Sequence, residues 1–332
     1  MSAPPTNRRS IGYFSSRDDG TMPVTGEGWF LARDIPLGIM PLGYSKRESS
    51  FRIDLQPPDE QRAEWLTNFL HVGQFDRHSL EDAVVDFVET TANYFGYFGE
   101  VYFEIAADAD GQPARLAALA RGRVVLTPRK YLQVIPKPNR QYHDGRRYIA
   151  IPRADIWHLR LPADLGSPRS HRRLLHRLTS SSPLAASMAM LQGPGAKNTT
   201  GYDFVAHRDA SERVQERAMR RWGSFFSRQS PVGASTEYFY IARRLAFHAA
   251  QARVREHIIA ELNALLARLA TGHAVVVTGI PTAREIDDTL GRMHAGSSAS
   301  RKHSIEPASD RLATPHHSAS SPSVIAEGPV SP

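Results

Sequence analysis

The spacing of hydrophobic residues along this chain changes period several times, and each change predicts a different element. Between residues 29 and 55, short apolar runs are interrupted by Gly and Pro, a pattern that predicts short strands or an extended arm. Asp59 then stands where a helix cap is expected, and apolar residues at helical spacing continue to about Val72. The first 72 residues therefore predict an extended segment followed by one helix.

A stronger helix is predicted from Ser79. Serine is a good N-cap residue, acidic residues follow in the first turn, and apolar positions recur at helical spacing. Gly96 and Gly99 are predicted to end this helix. The period then shortens to two, and residues 100–161 predict a β-rich lobe. Its strands are expected near residues 101–105, 123–126, 131–135, 148–151 and 155–161, with a tight turn at residues 143–145.

Helical spacing returns after Pro162. Helices are predicted over residues 170–179, 183–192, 209–226 and 236–269, the last being the strongest signal in the chain. A short strand is expected at residues 273–278. Thr282 and Glu285 form a capping-box pair that starts a final helix ending near Gly296.

These elements predict an α+β fold with a β-rich, wing-like lobe followed by long helices and disordered termini. Four segments follow: an extended N-terminal arm (1–58), a helix with the β-rich lobe (59–162), a helical region with a short strand (163–296) and a tail (297–332). The tail is dominated by Ser, Ala, Pro, His and charged residues, so we expect it to be disordered.

Composition narrows the functional classes. The 332 residues contain 41 Lys and Arg against 34 Asp and Glu, a formal net charge of +7, and no Cys. The absence of Cys excludes disulfide scaffolds, cysteine nucleophiles and thiolate metal sites. No uncharged apolar run is long enough for a transmembrane helix, so we expect no membrane partner. The net positive charge favours an anionic binding partner.

Sequence motifs give no support to catalysis. There is no phosphate-binding GxxxxGK[ST] loop, no dinucleotide GxGxxG, no HExxH and no GxSxG. Glu100 and Glu104 share one face of a predicted strand, which a solvated surface explains equally well. His158 is more typical of a structural strand histidine than of a catalytic base. We therefore expect no catalytic residue, no cofactor and no metal site.

Clustered arginines are the more suggestive feature. Arg172 and Arg173 lie in a cationic helix, and Arg243 and Arg244 open the longest helix. Repeated Arg without base-reading residues suits contacts to a nucleic-acid backbone. A solvated helix face, or contacts to a neighbouring subunit, explains the same pattern. These four arginines are the candidate DNA or subunit contacts.

The order of the elements, from about residue 60 to 295, resembles that of tailed-bacteriophage portal proteins. A helix runs into Gly99-Glu100-Val101-Tyr102-Phe103-Glu104-Ile105, as in the helix-then-strand pattern of that family. A β lobe follows and closes with Asp155-Ile156-Trp157-His158-Leu159-Arg160. The Gly166-Ser167-Pro168 loop, the long helix at 236–269 and the Gly279-Ile280-Pro281-Thr282 cap continue the likeness. Glu100 replaces the usual Asn, and the chain is shorter than most portals, as a truncated or remnant portal would be.

This resemblance implies a ring of identical subunits, usually twelve, at one capsid vertex. Double-stranded DNA would be packaged and ejected through its centre, and a capsid and a terminase-type packaging motor would be its partners. The location would be the virion and the host cytoplasm. Two alternatives stay open: a cytoplasmic, basic nucleic-acid-binding scaffold or regulatory protein, and an enzyme whose site is assembled from residues far apart in sequence.

Overall fold

A computed structural model describes residues 24, 26–40, 51–71, 79–119, 124–127, 130–135, 137–180, 204–223 and 237–303. The chain divides into two units, residues 1–291 and 292–332. The described part of the second unit, residues 292–303, is helical. The predicted helix at 183–192 and most of the predicted arm and tail lie outside the described residues.

Helices and strands together give an α+β fold, as the sequence predicted. The α-helices are α1 (Gly26–Asp34), α2 (Glu60–Phe69), α3 (Leu80–Phe98), α4 (Pro168–Ser180), α5 (Phe204–Trp222), α6 (Glu237–Arg268) and α7 (Ala283–His303). The strands are β1 (Arg52–Gln56), β2 (Glu100–Ala107), β3 (Pro113–Leu119), β4 (Val124–Leu126), β5 (Lys130–Val134), β6 (Tyr148–Pro152), β7 (Ile156–Arg160) and β8 (Ala274–Thr278).

Helix α3 begins and ends where local sequence signals place it. The Ser79 side chain accepts a hydrogen bond from the Asp82 N–H at 3.1 Å and so caps the N-terminus. Gly99 ends the helix in the left-handed region, with φ of +73°. An apolar face that includes Phe87 and Phe95 is fully buried, so α3 lies at the centre of the core.

Gly96 does not end α3, contrary to the prediction. It lies inside the helix, where a Cβ atom added to it would come within 2.2 Å of the Ala32 carbonyl oxygen of α1. Its missing side chain therefore lets α1 cross α3 at close range. Residues 26–34 are helical, whereas the sequence predicted strands or an extended arm from residue 29. The residues of α1 and its continuation pack into the core at Leu31, Ala32, Ile35, Ile39 and Met40.

The β-rich lobe contains two three-stranded antiparallel sheets, with strand orders β3-β2-β7 and β4-β5-β6. Strand β3 is absent from the predicted strands because its sequence, PARLAAL, lacks β-branched and aromatic residues. A small cluster of Tyr102, Leu119, Ile151 and Ile156 is buried in this lobe. A separate pair, β1 with β8, joins residues 52–56 to residues 274–278.

The 32-residue helix α6 is confirmed at almost its predicted length. Its polar side chains hydrogen-bond to chain segments far away in sequence. The Gln251 Nε2 group donates to the carbonyl oxygens of Asp34, Ile35 and Leu37 at 3.1, 3.1 and 2.8 Å. These carbonyls lie at and just beyond the end of α1, where a helix has no partners of its own. Gln251 therefore caps α1 from across the core.

Other side chains of α6 bind in the same way. Arg255 is buried, which lowers its pKa, and its guanidinium donates to the carbonyl oxygens of Ile39 and Pro281 at 3.3 and 2.5 Å. The Asn263 side chain exchanges two hydrogen bonds with the Val275 backbone, at 2.9 and 2.7 Å. Helix α6 therefore holds the segment after α1, the loop before α7 and strand β8.

The predicted capping box at the start of α7 is confirmed. The Thr282 N–H donates to Glu285 Oε2 at 2.7 Å, and the Glu285 N–H donates to Thr282 Oγ1 at 3.2 Å. Several boundaries differ from prediction. Helix α5 spans Phe204–Trp222 rather than residues 209–226, α4 begins at Pro168 rather than at Ser170, and α7 continues past Gly296. No helix in the described ranges combines the length and apolar composition needed to cross a bilayer.

Replacing Gly96 with Ala tests the close crossing of α1 and α3. Because the new methyl group would meet the Ala32 carbonyl, we expect Gly96→Ala to lower the free energy of unfolding by about 1–3 kcal/mol. Gly291 in α7 is the matched control, since a Cβ there has no neighbour within 4 Å. Gly291→Ala should raise stability by about 0.5–1 kcal/mol. Urea denaturation measures both, and equal effects at the two positions would contradict the crossing.

Candidate nucleic-acid interface

Helix α4 has two sharply different faces. Its inner face buries His171, Leu174, Leu175 and Leu178. On the outer face, the exposed side chains recur at helical spacing: Arg169, Arg173, His176, Arg177 and Ser180. The helix contains four Arg and no acidic residue. We call Arg169, Arg173, His176 and Arg177 the cationic stripe.

Arg172, next to this stripe, is bound within the chain. Its guanidinium NH1 donates to Glu100 Oε1 at 2.8 Å and to the Phe98 carbonyl oxygen at 3.1 Å. The pair joins α4 to the end of α3 and the start of β2. Arg172 is thus a fold-stabilising residue here, whereas its neighbour Arg173 is exposed.

Glu100 is buried, with 5% of its surface exposed, and Glu104 is 6% exposed. A solvated strand face was therefore the wrong interpretation of this pair. The second oxygen of Glu100, Oε2, lies 3.0 Å from His158 Nε2 and 3.5 Å from the Tyr102 hydroxyl. The Tyr102 and His158 rings stack, with centroids 4.0 Å apart. Both carboxylate oxygens are thus bound within the protein, and His158 contacts both Glu100 and Tyr102.

His171 anchors the inner face of α4. Its Nε2 lies 2.8 Å from the Gly96 carbonyl oxygen, so this nitrogen carries the proton and donates it. The ring meets Trp222 of α5 edge-on, with centroids 5.8 Å apart. Burial lowers the pKa of His171 to about 4, although its bond to Gly96 acts in the opposite direction. A neutral imidazole therefore connects α3, α4 and α5.

Arg243 and Arg244 are exposed near the start of α6. The Arg244 guanidinium donates to the Tyr240 hydroxyl at 3.2 Å. Tyr240 and its neighbour Ile241 are 43% and 39% exposed, so arginine and apolar side chains share this surface. Helix α5 packs against both α4 and α6. No hydrogen bond or ion pair among the described side chains joins Arg172 or Arg173 to this second group.

The arginines of α5 differ from those of α4 because acidic residues lie among them. Arg220 pairs with Glu216 at 3.6 Å on the exposed surface, and Arg213 donates to the Asp209 carbonyl oxygen at 3.1 Å. The sequence of α5 also includes Glu212. Three acidic residues therefore offset part of the charge of the five arginines in α5.

The described part of the chain contains no recognisable metal-binding cluster. No group of three or more His, Asp or Glu side chains there is arranged to hold a metal ion.

No protein-family profile matches this chain, and no curated protein does. Among solved structures, the chain is similar to an HK97-family phage portal protein from Corynebacterium diphtheriae. The identity is 11%, with 82% of this chain and 99% of that one covered and a TM-score of 0.35. It is also similar to a chain from the virion of a native gene transfer agent particle, at 13% identity, 85% and 86% coverage and a TM-score of 0.34. At these TM-scores the likeness does not by itself define a common fold.

The different roles of Arg172 and Arg173 can be tested by neutralising each in turn. Arg172→Gln leaves the buried Glu100 carboxylate short of its cationic partner, so we expect a loss of about 1–3 kcal/mol of stability. The matched variant, Arg173→Gln, removes the same charge from an exposed position and should change stability by less than about 0.5 kcal/mol. Chemical denaturation of both variants decides this, and equal losses would show that the Glu100 pair contributes nothing.

The buried, neutral His171 predicts a specific pH dependence of stability. Its pKa of about 4 in the folded state lies below its ordinary value of 6.5, so the unfolded chain binds more protons between those values. The contribution of neutral His171 to the free energy of unfolding is complete above about pH 6.5 and is lost as the pH falls towards 4. At pH 5 the loss is on the order of 2 kcal/mol.

His171→Gln provides the comparison, since a Gln amide can donate to the Gly96 carbonyl but does not titrate. Between pH 7.5 and 5, the variant should lose about 2 kcal/mol less stability than the wild type. Asp34, whose pKa burial raises to about 6, changes in the opposite sense but is present in both proteins. Identical pH profiles in urea denaturation would show that His171 is not buried in its neutral form.

Proposed function

We propose that this chain is a portal-like structural protein of a virus particle. Its subunits would form a ring at a capsid vertex through which double-stranded DNA is packaged and ejected. The order of described elements supports this proposal. Helix α3 leads into β2, the β lobe closes with β7, and the Gly166-Ser167-Pro168 loop precedes α4. Helix α6, strand β8 and the capped start of α7 then follow in the order that the resemblance requires.

The dimensions and chemistry of the fold suit this role. At about 1.5 Å per residue, α6 is about 48 Å long, enough to cross from one layer of an assembly to another. A DNA passage requires no catalytic residue, and it must not bind particular base sequences. The exposed Arg173, Arg243 and Arg244 can bind phosphates or a neighbouring subunit, whereas Arg172 positions α4 through Glu100. A capsid and a terminase-type packaging motor would be the partners of the ring.

The second candidate function is a basic nucleic-acid-binding scaffold or regulatory protein without a ring. The cationic stripe of α4 favours it, because a single subunit already presents this surface and no described acidic side chain pairs with its arginines.

Mass photometry at about 0.15 M and about 1 M salt separates the two functions. A portal-like protein should form closed rings of about twelve copies of the 36.9 kDa chain, retained at high salt and visible by electron microscopy. A monomer or dimer at both salt concentrations, with or without DNA, would contradict the ring and favour the scaffold.

Reversing charge on α6 tests whether Arg243 and Arg244 contact a neighbouring subunit. The double variant Arg243→Glu/Arg244→Glu should then reduce the ring to smaller species. Arg213→Glu/Arg217→Glu makes the same change in charge on the exposed surface of α5 and should leave the ring intact. If both double variants assemble like the wild type, these α6 arginines are not subunit contacts.

A further inference from the structure

The cationic stripe of α4 combines several electrostatic features that oppose folding. Arg169 is the second residue of the helix and lies at the positive end of the helix dipole, an unfavourable position for a cation, whereas Arg177 lies in the last turn, where the dipole favours it. Arg169 and Arg173, and Arg173 and Arg177, are four residues apart, where like charges repel. No acidic side chain within the described residues forms an ion pair with any of the three.

Other cationic side chains of the fold do have partners. Arg172 is paired with Glu100, Arg220 with Glu216, and Arg253 with both Asp164 and Asp287. The last helix, α7, begins with an acidic residue in its first turn. Ion pairs therefore neutralise several other arginines in the described chain, whereas the arginines on the exposed face of α4 have no such partner among the described residues.

The stripe is also regular in space. Its residues fall within about 100° of the helix circumference, opposite the buried leucines. The Cα atoms of Arg169, Arg173 and Arg177 are spaced about 6 Å apart along the helix axis, over a total of about 12 Å. The inner face is fixed by His171 and by Arg172, so the scaffold that carries the stripe is firmly held.

We propose that the cationic stripe of α4 binds the phosphate backbone of nucleic acid without reading its sequence. A polyanion would remove both the dipole and the like-charge penalties at once. Arg side chains present a planar fork of donors that suits phosphate oxygens. The stripe contains no Asn or Gln for reading base edges, so the contacts would be to the backbone alone.

An acidic protein surface is a less suitable binding partner for the cationic stripe. Protein interfaces draw most of their energy from apolar and aromatic side chains at their centre. The outer face of α4 exposes only Arg, His and Ser, and its leucines are buried on the other side. A surface of charge without apolar anchors is typical of phosphate-backbone binding.

This inference deepens the proposed function, since both give the chain contact with a nucleic-acid backbone. It nevertheless concerns a single subunit and requires no ring. Assembly and DNA binding can therefore be measured on the same sample and can fail separately.

The test is binding of the full-length chain to a fluorescent duplex of about 30 base pairs and mixed sequence, measured by anisotropy over a series of salt concentrations. The variant Arg169→Gln/Arg173→Gln/Arg177→Gln removes the three stripe arginines. We expect it to bind more weakly and to reduce the slope of log K against log salt by about 2.7. A fourfold rise in salt should then weaken the wild type by about 40-fold more than it weakens the variant.

The matched control is Arg213→Gln/Arg217→Gln/Arg220→Gln on α5, which removes the same charge from exposed positions of a helix that also contains three acidic residues. Its affinity and slope should stay close to those of the wild type. Equal losses in the two triple variants would overturn the proposal, because net charge alone would then explain binding. Displacement of the duplex by poly-glutamate as effectively as by a second duplex would also overturn it and would indicate an acidic protein partner. Mass photometry of the stripe variant reports assembly independently.

Discussion

The hydrogen bonds from the Gln251 amide to the end of α1 determine how the first part of the chain is held. A helix leaves its last carbonyls without partners, and burying them unpaired would be costly. At the C-terminal end of α1, Leu31, Ala32 and Ile35 are buried, whereas Arg33 and Leu37 are exposed. Gln251 of α6 donates to the Asp34 carbonyl oxygen, and Arg255 donates to the Ile39 carbonyl oxygen in the segment after α1, both from more than 200 residues further along the chain. The burial of α1 is therefore conditional on α6.

The position of α1 in turn fixes the helices around it. It crosses α3 at Gly96 and meets α4 at Gly28, where a Cβ would come within 2.7 Å of the Leu175 carbonyl oxygen. Helix α4 is thus packed between α1, α3 and α5, and the Glu100–Arg172 pair sets its position against the β lobe. Among the described elements, α1, α3 and α5 thus occupy three sides of α4, and the cationic stripe lies on the remaining, exposed side.

Elements with local signals could be predicted from the sequence. Ser79 caps the start of α3 and Gly99 ends it. Thr282 and Glu285 form the two reciprocal hydrogen bonds of the capping box at the start of α7. Helix α1 and strand β3 could not be predicted in the same way. The first is stabilised by Gln251 from across the core, and the second is an alanine-rich segment that becomes a strand because β2 pairs with it.

The candidate contacts show the same division. Clusters of Arg were visible in the sequence, but the prediction did not assign Arg169, Arg173 and Arg177 to one helical face. The separation of Arg172 from that face was not visible, since it depends on Glu100, 72 residues away. Glu100 itself looked like a surface residue of an alternating strand until its partners from β7 and α4 were known.

The pairing of β1 with β8 has a consequence for how this protein is made. Residues 52–56 leave the ribosome long before residues 274–278, and α1 likewise precedes its capping residue on α6. Until the later segments emerge, the nascent chain carries an open strand edge and uncapped carbonyls beside apolar surface. Such intermediates are prone to aggregate or to pair with other chains. The β1–β8 pair and the cap of α1 can therefore form only late in synthesis.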